Sequence, residues 1–394
     1  MKDFTITFPL RDTGLPHLPG ALDSAFNGET LVIFIWYTSH KAPLMLMTPG
    51  KTLDTVRLTV RAHRIEVYIN DILTEEEWPW GEPCLTREQL AELGASFDVP
   101  DAPAWTPETI TDIQNWKPEG SVFVGDCMPF CCDDTLHVFY LKDRHHHYSK
   151  WLSGAHQWAH IMTRDLINWE TCPMAVEIDD PAEGSVCTGS VIRFRDRYYA
   201  FYAIRSPWGD PARLSCSVSD DCIHFEKTDL DIRLEAPYDA PSARDPHVFV
   251  GDDGRVHMLV TTSITRDDGK FGCLAELASA DLVNWTNLGP NVVYTDGSQP
   301  ECADCFRYGD YWYRLYSIGG TAHYDIGKSA AGPWTPSGET IGHNPQLCVP
   351  KAAVWHGRLI FVGFDRIDLY AGSMHVMEAF PDPDGKLRIE ELRV

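Results

Sequence analysis

Five apolar, aromatic-rich runs recur between residues 136 and 366: Leu136–Arg144, Arg197–Arg205, Arg255–Ser263, Tyr311–Gly319 and Arg358–Arg366. A second pattern follows each of the first four. It reads Ser/Thr-x-Asp-apolar-x-x-aromatic at Thr163–Trp169, Ser219–Phe225 and Ser279–Trp285, and is degenerate at Ser329–Trp334. Its Asp recurs at 165, 221 and 281, steps of 56 and 60 residues. The runs are dominated by β-branched and aromatic residues, so they read as buried strands. Several short strands per unit of roughly 40–60 residues indicate a β-propeller. Five copies predict five blades and an all-β fold. A large sandwich with coincidental similarity is the alternative. Two independent patterns recurring in one order favour the propeller.

Residues 1–115 do not share the repeat. Leu31–Tyr37, Arg57–His63 and Arg64–Asn70 read as strands, and Asn70-Asp71 suits a hairpin turn. Residues 86–93 predict a short helix with Thr86 as N-cap and Glu88 in its first turn. A Pro-rich stretch over 98–109, with Trp105, reads as a surface linker. The expected division is a small β-sandwich-like accessory module over 1–115 and a five-bladed propeller over 116–394. The segment Ile65–Leu73 resembles strands of lectin-like, laminin-G-type sandwiches. For this module a packing or oligomerisation role is set against carbohydrate binding.

Composition narrows the partners. The net charge of −24 disfavours nucleic acid and anionic membranes. Thirteen Trp and fifteen Tyr suit a carbohydrate site, and equally a propeller core. The N-terminus carries no long apolar stretch of the secretory kind, and no segment has the apolar length of a membrane helix. Twelve Cys are scattered without a disulfide-domain spacing and read as reduced, buried residues. The expectation is a cytoplasmic protein that handles a small neutral oligosaccharide and uses no cofactor.

Three acids stand in separate short motifs: Asp126 in Gly-Asp-Cys-Met-Pro, Asp245 in Arg-Asp-Pro, and Glu301 in Glu-Cys-Ala-Asp. Equivalent ends of successive repeats converge on the axis of a propeller. Two carboxylates and a third acid meeting there form the set that glycosidic cleavage requires. From about 120 to 370 the chain resembles glycoside hydrolase family 32 and its clan, five-bladed propeller enzymes acting on fructofuranosides. Gln157–Trp169 resembles that family's Trp-Gly-His-Ala-x-Ser-x-Asp-Leu-x-x-Trp segment, and Thr188-Gly-Ser-Val191 its Ser-Gly-Ser segment. The resemblance implies Asp126 as nucleophile, Asp245 as transition-state stabiliser and Glu301 as acid/base. It implies Arg244 as the group that holds Asp245 charged or binds a sugar hydroxyl, although a structural ion pair would use the same residues. Thr188 and Ser190 are implied as sugar-binding by position. A retaining mechanism would place the carboxyls of Asp126 and Glu301 roughly 5–5.5 Å apart.

Two departures stand out. The family's Asn-Asp-Pro-Asn is replaced by Gly125-Asp126-Cys127-Met128-Pro129, which bears on fructose specificity. Only 28 residues follow Arg366, too few for the family's C-terminal sandwich, and the accessory module is N-terminal instead. Other candidates are weaker. His156, Trp158 and His160 alternate on one strand face, with Trp158 either a stacking platform or a core residue. Asp143 and Arg144 end the first repeated strand and border the expected site. The run His145-His146-His147 suits a pocket mouth, with His146 a sugar contact, a solvated loop residue or, less well, a metal ligand. Asp304 either supports Glu301 or caps a turn. Another furanosidase, a fructosyltransferase and a non-catalytic sugar-binding propeller are the alternative functions.

Overall fold

The computed structural model describes residues 3–11, 14–39, 41–101, 104–144, 156–205 and 210–393. The chain is built almost wholly of antiparallel strands, and from residue 123 onward they form five four-stranded blades. Blade I is Phe123–Cys132, Thr135–Asp143, Gln157–Thr163 and Trp169–Thr171. Blade II is Ser185–Phe194, Arg197–Arg205, Arg213–Ser219 and Glu226–Lys227. Blade III is Arg244–Val250, Val256–Arg266, Gly269–Ser279 and Thr286–Tyr294. Blade IV is Glu301–Tyr308, Tyr311–Ile318, Thr321–Gly327 and Thr335–Ile341, and blade V is Cys348–Trp355, Arg358–Arg366, Gly372–Pro381 and Leu387–Glu391. The first strand of each blade packs against the first strand of the next, and Cys348–Trp355 returns to Phe123–Cys132. The inner strands therefore form a closed ring about an axis.

The five apolar runs are the second strand of each blade, one place out from the axis. They lie between neighbours in their own sheet and are covered on both faces by adjacent blades. That is why they read as continuous apolar runs rather than alternating ones. The recurring Asp pattern is the turn between the third and fourth strands. Asp165 accepts from the backbone N–H groups of Ile167 and Asn168, at 2.9 and 2.7 Å, while Thr163 accepts from Leu166 N–H. Leu166 sits in the left-handed region at φ 61° with its side chain buried, and Trp169 Nε1 donates back to its carbonyl. Asp281, Leu282 and Trp285 repeat the device. The backbone N–H bonds to the carboxylate stabilise a backbone conformation that leucine would not adopt alone.

Closure of the ring uses the approach segment. Thr109–Ile110 pairs with the outermost strand of blade I. A few residues later Asn115 N–H donates to the carbonyl of Met374 on blade V, and Met374 N–H donates back to Trp116 O. Residues 109–116 thus straddle the seam between first and last blades. Ile110 and Ile113 fill one apolar cluster with residues of both.

The N-terminal part contains two sheets. One has the strands Phe4–Pro9, Thr55–Arg61, Arg64–Ile69 and Ile72–Glu77, and the other Leu22–Phe26, Thr30–Ile35 and Leu44–Pro49. Both face one apolar cluster that includes Phe4, Ile6, Leu31, Ile33, Leu58 and Val67. Asn70 and Asp71, at φ 49° and 65°, make the hairpin turn that the sequence indicates. The helix is Arg87–Glu92, with Thr86 capping Gln89 N–H in a reciprocal capping box.

This part docks on blade I through a buried charge cluster. The Glu76 carboxylate meets Lys142 and Arg144 of blade I and Arg64 of its own sheet, Arg144 Nε at 3.1 Å and Arg64 Nη2 at 2.7 Å. Burial opposes the Glu76 charge, but the three cations together hold its carboxyl well below the usual range. Next to it Trp78 packs with Phe139, Leu141 and Tyr202 of the propeller. Among the described residues no helix is long and apolar enough to cross a membrane.

Candidate active site

Every inner strand slips register against its neighbour near one end. Two residues oppose one at Gly125–Asp126, Cys187–Thr188, Asp245–Pro246, Cys302–Ala303 and Val349–Pro350. A bulge of this kind releases backbone groups from the ladder and re-aims side chains. Here it does so five times around one axis. Asp245, Cys302 and Val349 take left-handed backbone, at φ 53°, 52° and 48°. Such conformations are costly for non-glycine residues and persist where surrounding packing imposes them. The ring of residues so presented is Asp126, Thr188, Asp245, Cys302 and Val349.

Within that ring the side chains are joined. Thr188 Oγ1 donates to Asp126 Oδ2 at 2.5 Å, and Cys302 Sγ donates to the same oxygen at 3.3 Å. Cys302 N–H donates to Asp245 Oδ2 at 3.3 Å. Arg244 Nε lies 3.5 Å from Asp245 Oδ2, and its Nη2 donates to Glu301 Oε1 at 2.7 Å. One continuous chain of contacts therefore runs Thr188–Asp126–Cys302–Asp245–Arg244–Glu301. Burial would lower the Arg244 pKa, but Asp245 and Glu301 outweigh it and raise it. The Cys302 thiol is pushed well above its ordinary range by burial and by the Asp126 and Asp245 charges, so it stays protonated and able to donate. Asp126 and Asp245 are buried, whereas the Glu301 side chain is 42% exposed. Glu301 is thus the exposed acid of the three.

Two residues further along each strand lies a second tier: Met128, Ser190, His247, Asp304 and Lys351. They line an axial cavity of about 200 Å³ beneath the acids. These residues stitch the blades together. Ser190 Oγ accepts from Val248 N–H, His247 Nε2 from Cys305 N–H, and Asp304 Oδ2 from Ala352 N–H. Lys351 Nζ crosses the axis to Gly189 O at 2.9 Å. Ser190, expected as a sugar contact, is placed in this bracing layer. Asp304 neither caps a turn nor touches Glu301; it bridges blades IV and V.

Burial raises the Asp304 pKa to about 6, against an unperturbed 3.8. A carboxyl raised in the fold contributes stability that is complete below pH 3.8 and is lost as pH rises through 6. The difference corresponds to about 3 kcal/mol. Asp304→Asn, which keeps an acceptor for Ala352 and removes the charge, is therefore expected to unfold at higher denaturant than the parent above pH 6. The gap should close below pH 4. Urea titrations across that range check it, and a gap independent of pH would contradict the assignment.

Several expected site residues lie elsewhere. Trp158 is fully buried between blades I and II, edge-on to Tyr202, with Nε1 donating to Cys187 O. His160 is buried against Phe139 and hydrogen-bonded to His137. His156 and Asp143 form a fully buried pair at 2.5 Å, with the imidazole beside Tyr370. The shared strand face of residues 156, 158 and 160 is real. In a propeller, however, blade faces pack on blades, and only ends of inner strands reach the pocket. Arg144 is engaged by Glu76 and Thr74. His145, His146 and His147 lie outside the described residues. Among the described residues no group of three His, Cys, Asp or Glu side chains is placed to hold a metal ion.

Sequence reasoning missed Val349, the Cys302 thiol and Tyr370, whose hydroxyl accepts from Asp126 N–H at 3.0 Å. Aligning Cys348-Val-Pro-Lys351 with Arg244-Asp-Pro-His247 would have exposed the fifth member of the ring.

Comparison with known proteins bears on the fold and the family. The model of the glycosyl hydrolases family 32 N-terminal domain matches residues 128–325, half of the chain. The sucrose-6-phosphate hydrolase of Bacillus subtilis (strain 168) is 31% identical over 189 residues, 44% of this chain and 38% of that protein. The Escherichia coli sucrose-6-phosphate hydrolase is 28% identical over 296 residues, 65% of this chain and 59% of that protein. The chain thus spans less than two thirds of the length of these relatives. Fructan 1-exohydrolase IIa from Cichorium intybus superimposes with a TM-score of 0.57 at 18% identity, over 71% of this chain and 60% of that one. A propeller whose bulged inner strands gather these acids, and whose sequence matches across half its length, belongs to glycosyl hydrolase family 32.

Proposed function

We propose that the chain is a retaining glycoside hydrolase that releases a terminal fructofuranosyl residue from a small oligosaccharide. The observation that carries this reading is the unbroken set of contacts from Asp126 through Cys302, Asp245 and Arg244 to Glu301. Asp126 attacks the anomeric carbon as Glu301 protonates the departing glycosidic oxygen, leaving the sugar esterified to Asp126. Glu301, now ionised, takes a proton from water. That water attacks the same carbon and frees Asp126. Asp245 accepts hydrogen bonds from ring hydroxyls and stabilises the positive charge that develops at the ring. Arg244 pairs with Asp245 and orients Glu301. Thr188 and Cys302 both donate to one Asp126 oxygen, which leaves the other for the sugar. The N-terminal part serves as an accessory module in this reading, and the propeller carries the chemistry.

The relatives' names point to sucrose 6-phosphate among the substrates to try. The reading is tested with sucrose, sucrose 6-phosphate, short inulin and levan fragments, and nitrophenyl arabinofuranosides, with products separated. Release of fructose from a fructofuranoside is expected. Cleavage of arabinofuranosides alone would favour the other furanosidase, a reading that Gly125 in place of Asn keeps open. Transfer to sugar rather than water would favour a fructosyltransferase. No turnover of any of them by intact protein would overturn the assignment.

A further inference from the structure

The bulge at Gly125–Asp126 takes Asp126 N–H out of the blade I ladder, and blade V supplies its partner. Tyr370 Oη accepts that N–H at 3.0 Å. The ring is buried, edge-on to Phe364 and beside His156. Its turn is pinned at both ends. Ile367 N–H donates to Ala371 O, and Gly372 bridges to Val124, two residues ahead of Asp126.

Gly125 fits this arrangement closely. A Cβ placed there would stand 2.6 Å from Tyr370 Oη and 3.1 Å from Leu141. The hydroxyl and any side chain at 125 therefore compete for one space. Asp126 is in consequence held from three blades: its carboxylate by Thr188 of blade II and Cys302 of blade IV, and its backbone by Tyr370 of blade V. Burial and the nearby Asp126 charge push the Tyr370 pKa well above its ordinary value, so the hydroxyl stays neutral.

We propose that Tyr370 is a positioning residue for the nucleophile, and that Gly125 is the complement that makes room for its hydroxyl. This rests on the reading of Asp126 as nucleophile. The departure from Asn at position 125 then has a physical cause, since the space an asparagine would enter is held by a tyrosine from another blade. Misplacing a reacting group by about 1 Å can cost on the order of a hundredfold in rate.

The experiment measures kcat and KM of Tyr370→Phe, Gly125→Ala and the double variant, beside Asp126→Asn, with thermal melting as the check on folding. Tyr370→Phe is expected to lower kcat roughly tenfold to a hundredfold while KM changes little. Gly125→Ala should lose more, and Tyr370→Phe should restore part of that loss, because removing the hydroxyl vacates the space the new methyl needs. A merely structural tyrosine would give additive losses, and the double variant would be worse than either single one. If Asp126→Asn is inactive while Tyr370→Phe turns over like the parent, the positioning role is wrong and the nucleophile stands. An unimproved Gly125→Ala in the Tyr370→Phe background would equally overturn it. Full activity in Asp126→Asn would instead remove the functional reading beneath it.

Discussion

Asp126→Asn is expected to lower turnover by roughly 10⁴-fold or more, because in the proposed mechanism it removes the carboxylate that forms the covalent bond. The substitution is nearly isosteric, so Thr188 Oγ1 can still donate to the remaining amide oxygen and the fold is preserved. Glu301→Gln should behave differently. Loss of a general acid costs roughly 10²–10⁴-fold where the leaving oxygen needs a proton. With an activated leaving group that needs none, the first step should run near the parental rate and only hydrolysis of the intermediate should slow. The two acids are thus separable by leaving-group dependence as well as by magnitude. The pre-steady-state burst and kcat/KM, which report the first step, check both on sucrose-type and nitrophenyl or fluoride glycosides. Equal losses on all leaving groups for Glu301→Gln would deny it the acid role, and an active Asp126→Asn would deny a covalent step at that residue.

Glu76→Gln carries the largest expected cost to stability. The carboxylate lies between Lys142 and Arg144 of blade I and Arg64 of the N-terminal sheet, and is itself 3% exposed. Removing the carboxylate leaves Lys142 and Arg144 desolvated without that counter-charge, while Arg64 keeps Glu66 at 3.1 Å; breaking a buried ionic cluster in this way costs about 3–5 kcal/mol. The side chain still fits, so the loss is electrostatic rather than steric. Two observations should accompany it. The N-terminal part should lose its cooperative unfolding with the propeller, since its dock on blade I is weakened. A second substitution, Lys142→Met, should recover part of the loss by removing one stranded cation. Denaturant unfolding followed by tryptophan fluorescence, aided by Trp78 at the junction, checks both. Stability within 1 kcal/mol of the parent would show the cluster to be dispensable.

The propeller was legible because its second strands carry no chemistry. Leu136–Arg144 and its counterparts are sandwiched between blades, so packing alone shaped them. The inner strands were harder to read. Each is broken by a bulge and carries Asp, Thr, Arg or Cys where a regular strand would alternate, and only the acid motifs marked them. The hairpin at Asn70-Asp71 was readable because left-handed backbone selects those residue types. Trp158 and His160 misled because alternation says that side chains share a face without saying what the face meets. The burial of Glu76 had no local signal; its explanation lies in Lys142 and Arg144, more than sixty residues away. Tyr370 was invisible for the same reason, 244 residues from the amide it accepts, on an irregular turn.

The central claim is that Asp126 bonds covalently to the sugar in a pocket shared with Asp245 and Glu301. It is tested most directly by mixing Glu301→Gln protein with fructosyl fluoride, quenching in acid and mapping the peptides by mass spectrometry. The fluoride leaves without protonation, and the variant cannot activate water, so the ester should accumulate. A hexosyl adduct on the peptide containing Asp126, absent in the Asp126→Asn/Glu301→Gln protein, is the predicted result. Fluoride release without any adduct at Asp126, or an adduct on another residue, would contradict the account.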